Sequence, residues 1–392
     1  MSTSDQSVQV DDRRKVAVVT TTIRVPHFFE EMLENATRHG HGEQISLIVV
    51  ADRKTPAAVG DFLDDLARRY PADVVYLDLP AQGELLRRFP ALEKILRHDS
   101  IQRRNVGFLQ AAIGGFEVVV SVDDDNFITD DDFIGYHLAV GRRVKLPVVS
   151  HASGWWNVCR RLVCDPPRRF YHRGYPKSRQ DFIDDEYQVR WDNVRAVVNA
   201  GLWLEVPDVD ATTHMEEPIN VVGMKSVEGS RACALAAGTW CPFNSQNTAF
   251  SAELLPAMYL PVMGERVGSL RLGRMDDIWL SYFVRTIADK LGDSVICGPP
   301  LVRQDRNPHN HLADLADELP GYLLTERLVE YLRCFESEET TYRGAYSDLI
   351  HHLCESLESD GELAQEQREC FRHLKVGMDA WHAAVGEIEG VR

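Results

Sequence analysis

The sequence predicts an α/β fold, a mostly parallel central sheet flanked by helices, with a helical C-terminal region. Two observations predict it. Short apolar runs at residues 15–22, 45–51, 74–77 and 117–122 alternate with helical segments at 26–38, from 55 onward and at 102–113, the order of a parallel sheet covered on both faces. From about residue 315 the pattern is helical, with Tyr346, Leu349, Ile350, Leu353 and Leu357 on one stripe.

Each element has a local reason. Residues 1–14 are polar and expected to be disordered. Val16, Val18 and Val19 make the first strand apolar. Pro26 opens the first helix, where its fixed φ suits the first turn. The second strand stops at Asp52, and Thr55 and Pro56 start the next helix. The helix at 102–113 carries Arg103, Arg104 and Asn105 near its start, and the apolar run 117–122 reads as a buried strand. Beyond residue 145 the chain is rich in Trp, Pro and Gly and is expected to form loops, short strands and helices over the sheet. Residues 275–290 read as a helix with Ile278, Tyr282 and Phe283 on its apolar face. The expected divisions are 1–14, a main domain over 15–315, and a helical extension over 316–392. The stripe in that extension is either core or a contact in a homo-oligomer.

Composition narrows the function. A chain of 392 residues can bury a large core. A net charge of −17 speaks against a nucleic-acid polymer or an anionic membrane as partner, but not against a nucleotide held at a local site. No apolar run reaches the length of a membrane span and no signal-peptide core opens the chain, so a cytoplasmic protein is expected. The eight cysteines contain no Cys-x-x-Cys pair, a pattern of reduced thiols. No Gly-x-Gly-x-x-Gly follows the first strand and no Gly-Lys-Ser/Thr loop occurs, so NAD and flavin are not expected.

The most informative stretch is Asp123-Asp124-Asp125-Asn126 at the carboxyl end of the fourth strand. Three acids there repel one another, and a divalent cation removes that cost. Hard carboxylate oxygens suit Mg²⁺ or Mn²⁺, which can bridge to a diphosphate. Ligands of open α/β sheets bind at such strand ends. Asp123 and Asp125 are the candidate metal ligands, with Asp123 and Asp124 also facing substrate; the competing reading is a solvated turn capping the next helix. Thr21 and Asp52 at the other strand ends, with Arg103 and Arg104 at a helix start, complete the substrate-facing set; Asp52 is the candidate contact to base or ribose.

Four further segments carry chemistry. Residues 168–176 put Arg168, Arg169, Arg173, Tyr171 and Tyr175 in one loop, which either faces an anion or is merely solvated. Trp203 is either a stacking surface or a core residue, and Asp208 and Asp210 either bond sugar hydroxyls or cap a turn. Asp276 and Asp277 open a helix, as caps or as acids that bind hydroxyls and move protons. His309 and His311 either complete a metal shell with Asp125 or are solvated.

Taken together, Arg173-Gly-Tyr-Pro, Gly201-Leu-Trp-Leu-x-Val-Pro-Asp-x-Asp210, Pro256-Ala-Met-Tyr259 and Gly273-Arg-x-Asp-Asp-x-Trp279 resemble the reversibly glycosylated polypeptide family, which includes plant UDP-arabinopyranose mutases. The resemblance implies a glycosyltransferase-A-like fold, a divalent cation, and interconversion of pyranose and furanose rings on a nucleotide sugar. It places the glycosylated arginine at Arg168, after Asp165-Pro166-Pro167, with Arg169 as the alternative, and a second required arginine at Arg173. Gln304 stands where the family has a histidine before Asn-Pro, which leaves that ligand to His309 or His311. The chain is also similar to an actinobacterial branch acting on GDP-galactose in antibiotic biosynthesis. The expected activity is therefore a flavin-free, metal-dependent mutase of GDP-L-galactose or, next, UDP-arabinopyranose, with Arg168 carrying the sugar and Asp276 or Asp277 moving the proton. The alternatives are a glycosyltransferase with a separate acceptor and a non-catalytic nucleotide-sugar-binding subunit.

Overall fold

The computed structural model describes residues 12–180, 186–304 and 310–391. Four parallel strands form its first half: β1 (Val16–Thr22), β2 (Ile45–Ala51), β3 (Asp73–Leu77) and β4 (Val118–Val122), in the order β3-β2-β1-β4. The crossovers are α1 (Phe28–Arg38), α2 (Ala58–Arg69), and then α3 (Leu79–Leu86), α4 (Pro90–Ile95) and α5 (Arg104–Ile113) between β3 and β4. Every residue of β2 and β4 is buried, which is why these strands read as unbroken apolar runs. The strand order reverses between β1 and β4, the place where open α/β sheets bind ligands. α5 lies close on that junction: a Cβ on Gly107 would come within 2.4 Å of Val19 Cγ1, so only glycine lets the helix bring Arg103 and Arg104 so near the strand ends.

The second half makes the sheet mixed. After β5 (Asn126–Ile128) and α6 (Phe133–His137) come β6 (Arg142–His151), β7 (Leu162–Cys164) and the long β8 (Tyr187–Glu205). The short α7 (Ala211–Glu216), β9 (Val221–Met224), β10 (Cys233–Leu235) and β11 (Asn247–Ser251) follow. β11 runs antiparallel beside β4 with Asn247 opposite Val122, so residues 244–246 lie at the acidic strand end. The hairpin β12 (Arg266–Val267) and β13 (Leu270–Arg271) precedes α8 (Asp276–Leu291), which ends on Gly292 at φ 75°, the left-handed conformation that stops helices. β14 (Ser294–Gln304) returns parallel to β8 and pairs at its far end with β5, Gln304 opposite Asn126.

Three helices close the chain: α9 (His311–Arg333), α10 (Tyr342–Ser359) and α11 (Gln365–Val391). The stripe of Tyr346, Leu349, Ile350, Leu353 and Leu357 is buried inside this chain, which resolves it as core. Trp279 of α8 stacks on Phe371 of α11 at 5.9 Å, and Tyr259 on Trp381 at 5.9 Å, so the helical region is fastened to the sheet domain. No helix of the described residues is long and apolar enough to cross a membrane.

Two boundaries differ from expectation. Asp12 is buried and holds Arg14 at 2.7 Å and Arg142 at 2.6 Å, so residues 12–14 belong to the fold. The helical extension starts at His311, not 316. The region past 145 is also more regular than its composition suggests, with a ten-residue β6 and a nineteen-residue β8.

Candidate functional site

At the junction of β1 and β4 the three acids meet different environments. Asp124 accepts hydrogen bonds from Thr22 Oγ1 at 2.7 Å and the Ile23 amide at 3.3 Å. Asp123 accepts from Arg104 Nη2. Arg104 is fully buried; its Nη1 donates to Ser121 Oγ, Ser245 Oγ and the Ser245 carbonyl, each at 3.1 Å, and Nη2 reaches Thr21 Oγ1 at 3.3 Å. Asp125 is buried with far less support. Gln304 Nε2 approaches its Oδ2 at 3.4 Å, and its Oδ1 has no partner among the described residues. Burial, then the charges of Asp123 and Asp124, push the Asp125 carboxyl up to about 7. Burial pushes Asp124 upward as well.

A second cluster forms where the loop before β8 meets the start of α8. Arg173 donates from Nε to Asp208 at 3.0 Å and from Nη2 to Asp208 and Asp277, both at 3.0 Å. Its Nη1 is taken by the carbonyl of Arg274, a non-glycine residue at φ 59°. Such a backbone conformation persists only where surroundings enforce it; Glu318, fully buried, holds the Arg274 side chain at 2.8 Å. Asn244 Nδ2 completes the shell of Asp208 at 2.8 Å. Burial lowers the Arg173 pKa, but the two carboxylates outweigh it and hold the guanidinium well above its ordinary value. Gly174 makes the approach feasible: a Cβ there would stand 2.2 Å from Ile278 of α8. Asp276, beside this cluster, accepts from Gln102 Nε2 at 2.8 Å; burial and the neighbouring Asp277 push it up to about 6.

The two clusters are one network. Ser245 accepts from Arg104 and donates its amide to Asp277 at 3.3 Å, and Gln102 precedes Arg103 and Arg104 in the chain. Thus Thr21, Arg104, Asp123, Asp124, Asp125, Arg173, Asp208, Asp276 and Asp277 are brought together. Asp52 sits at the end of β2, where it accepts from the Ser100 amide at 3.1 Å.

Other predicted residues are placed differently. Arg103 is buried against Gln82, which is pinned between the Ala51 and Leu77 carbonyls, so it braces the strand ends. Trp203 is fully buried beside His172, with ring centroids 5.1 Å apart, so it is core and offers no stacking surface. Tyr175 is likewise buried against Trp155 and Tyr171. Arg168 is held by α7, through Thr213 O at 3.1 Å, Glu216 at 2.9 Å and the Glu217 carbonyl, and Arg169 bonds Tyr171 Oη at 2.6 Å. Asp210 caps α7. His311 stacks on His214 at 5.2 Å. His309 lies outside the described residues. Sequence reasoning missed Gln102, Ser245 and, as a donor, Gln304; the polar run Asn244-Ser245-Gln246-Asn247 just before a buried strand is the signal that marks Ser245.

Among the described residues no group of three or more His, Cys, Asp and Glu side chains is set to hold an ion. The acidic corner nonetheless fits Mg²⁺ or Mn²⁺. Its donors are hard oxygens, one of them buried without a partner among the described residues, and such ions keep waters and take phosphate oxygens around one or two carboxylates.

A parallel half-sheet with acids at its reversal point and a helical cover defines an α/β protein with a candidate ligand site at its strand ends. The chain belongs to the reversibly glycosylated polypeptide family, whose model matches residues 91–389. UDP-arabinopyranose mutase 1 of Arabidopsis thaliana is 27% identical over 244 residues, 61% of this chain and 62% of that protein. UDP-arabinopyranose mutase 3 of the same plant is 27% identical over 275 residues, 69% of this chain and 68% of that protein. The chain therefore spans 62% of the length of the first of these relatives. Among solved structures, glucosyl-3-phosphoglycerate synthase from Mycobacterium tuberculosis with Mn²⁺ and UDP-glucose gives a TM-score of 0.39 at 13% identity, covering 80% of this chain and 78% of that one. A mannosyltransferase from Pyrobaculum calidifontis with GDP-mannose and Mn²⁺ gives 0.33 at 13%, covering 97% and 77%.

Proposed function

We propose that this protein is a metal-dependent, flavin-free mutase that interconverts the pyranose and furanose rings of a sugar while it remains with its nucleotide. The observation that carries the reading is the buried Asp125 oxygen, without a partner among the described residues, in a set of three carboxylates at the sheet's reversal point. Membership in the family and the names of its plant relatives support a mutase over a transferase, and support UDP-arabinopyranose as one substrate; GDP-L-galactose is the other to be screened.

Bound at Asp123 and Asp125, a divalent cation supplies positive charge against the diphosphate leaving group. The chain supplies the rest. Arg104, locked by Ser121 and Ser245, fixes the Asp123 carboxylate and adds charge at the strand end. Asp124, tied to Thr22, holds the turn. Asp276 is the proton carrier: with a pKa raised to about 6 it exchanges protons near neutrality, and Gln102 orients it. Asp277 is committed to Arg173 and serves as scaffold, so the two adjacent acids divide the roles. The family resemblance assigns the sugar adduct to Arg168, whose guanidinium is held on α7 with Glu216 at 2.9 Å.

The test is incubation of UDP-arabinopyranose or GDP-galactose with the protein and Mn²⁺ or Mg²⁺, with neither flavin nor acceptor, followed by NMR of the anomeric protons. Furanose signals that equilibrate with the pyranose are expected. Sugar transfer seen only after an acceptor is added would contradict the proposal.

A further inference from the structure

The structure assigns a third oxygen to the acidic corner: the side-chain carbonyl of Gln304, as a ligand of the divalent cation. This rests on the cation reading above and adds to it a neutral oxygen donor.

The register of the sheet brings Gln304 there. It is the last residue of β14 and lies directly opposite Asn126 of β5, the residue that follows Asp125. Its Nε2 stands 3.4 Å from Asp125 Oδ2, at the limit of a hydrogen bond. Its Oε1 is buried without a partner among the described residues, as is Asp125 Oδ1. Gln304 is 5% exposed and Asp125 9%, so bulk water satisfies neither oxygen well.

The other buried glutamines show what a structural role looks like. Gln82 donates to the Ala51 and Leu77 carbonyls, both at 2.7 Å, and accepts from Arg103 at 2.9 Å. Gln102 donates to Asp276 at 2.8 Å and accepts from Ser100 Oγ. Gln246 Oε1 accepts from Asn244 at 3.4 Å. Of these four buried glutamines, only Gln304 has a carbonyl oxygen with no partner among the described residues. Three side-chain oxygens on these facing strand ends, those of Asp125, Asn126 and Gln304, lack a partner among the described residues; Gln304 is the amide that reaches the Asp125 carboxylate, and beside two further carboxylates it suits an ion that both can bind. An amide carbonyl is a hard donor of the kind these cations accept. Being neutral, it adds no charge to a corner that already holds three acids.

The test is binding of Mn²⁺ alone, read by the loss of the free-ion EPR signal and by pulsed EPR of the bound ion. Wild type, Gln304→Ala and Gln304→His are compared, with thermal melting as the check on folding. Gln304→Ala is expected to weaken Mn²⁺ binding by about 10-fold or more. Gln304→His is expected to bind Mn²⁺ with a nitrogen coupling that wild type lacks, because the imidazole takes the place of the amide oxygen. Wild-type binding with an unchanged affinity in Gln304→Ala, or Mn²⁺ held by Gln304→His without nitrogen coupling, would overturn this inference and leave the cation reading standing. Wild type that binds no Mn²⁺ would remove the cation reading itself.

Discussion

The acidic corner and the Arg173 cluster lie in one network and hold the same chemistry in opposite states. In the cluster, Asp208 and Asp277 share a single guanidinium, and amide donors from Asn244 and Ser245 complete them. In the corner, three carboxylates face Arg104 and, more loosely, Arg24 at 3.6 Å from Asp124, and Asp125 has an oxygen with no partner among the described residues. Buried charges that are fully paired brace a fold, while a buried carboxyl left short of donors invites a ligand. The difference separates scaffold from binding site more sharply than residue type does, since both regions are built from Asp and Arg.

The largest effect that sharpens this contrast is expected at Asp125. Asp125→Ala should lower turnover by about 10³-fold or more, read from the NMR assay. It should also raise the melting temperature of the metal-free protein at pH 8, because a buried, unpaired charge is removed. A fall in melting temperature would mean that the corner is scaffold too. Arg173→Ala should do the reverse. It leaves two buried carboxylates unpaired and should cost about 3–5 kcal/mol in denaturant unfolding. Lost turnover with unchanged stability would instead make Arg173 a substrate contact.

Asp276 gives the next effect. Its folded pKa is raised to about 6 from 3.8, so the folded state keeps a proton that the unfolded chain gives up. Its contribution to stability is full below about pH 4 and is lost as pH rises to about 6, a change on the order of 3 kcal/mol. Asp276→Asn should flatten the stability profile across that window, and an unchanged slope would remove the case for a proton carrier. Arg168→Ala is expected to be the mildest for stability, about 1 kcal/mol or less for a partly exposed pair with Glu216. Furanose formation should nevertheless stop in this variant while the nucleoside diphosphate still binds. Normal turnover would move the adduct role to Arg169 or remove it.

The parallel half of the fold is legible because strands covered on both faces become continuous Val and Ile runs, as β1, β2 and β4 do. The long β8 is not. Gln188, Arg190, Trp191, Asp192 and Asn193 are exposed on its outer stretch, and exposed polar residues there read as loop. α3 and α4 likewise fall in a stretch where the sequence offers no firm period. At the site, the acids announce themselves by following a buried strand. Their organisers do not: Gln304 and Gln102 are uncharged, and their partners Asp125 and Asp276 lie 179 and 174 residues away along the chain. The motif around Trp203 leaves stacking and core both open, and only its full burial decides for the core.

The most direct test of the central claim is calorimetric titration of UDP and GDP into wild type and Asp125→Asn, each with and without Mn²⁺. The account predicts tight nucleotide binding only for wild type with Mn²⁺, and weak binding in the other three samples. Equal binding by wild type with and without the cation, or by the variant with it, would contradict the assignment of that corner as a cation-borne diphosphate site.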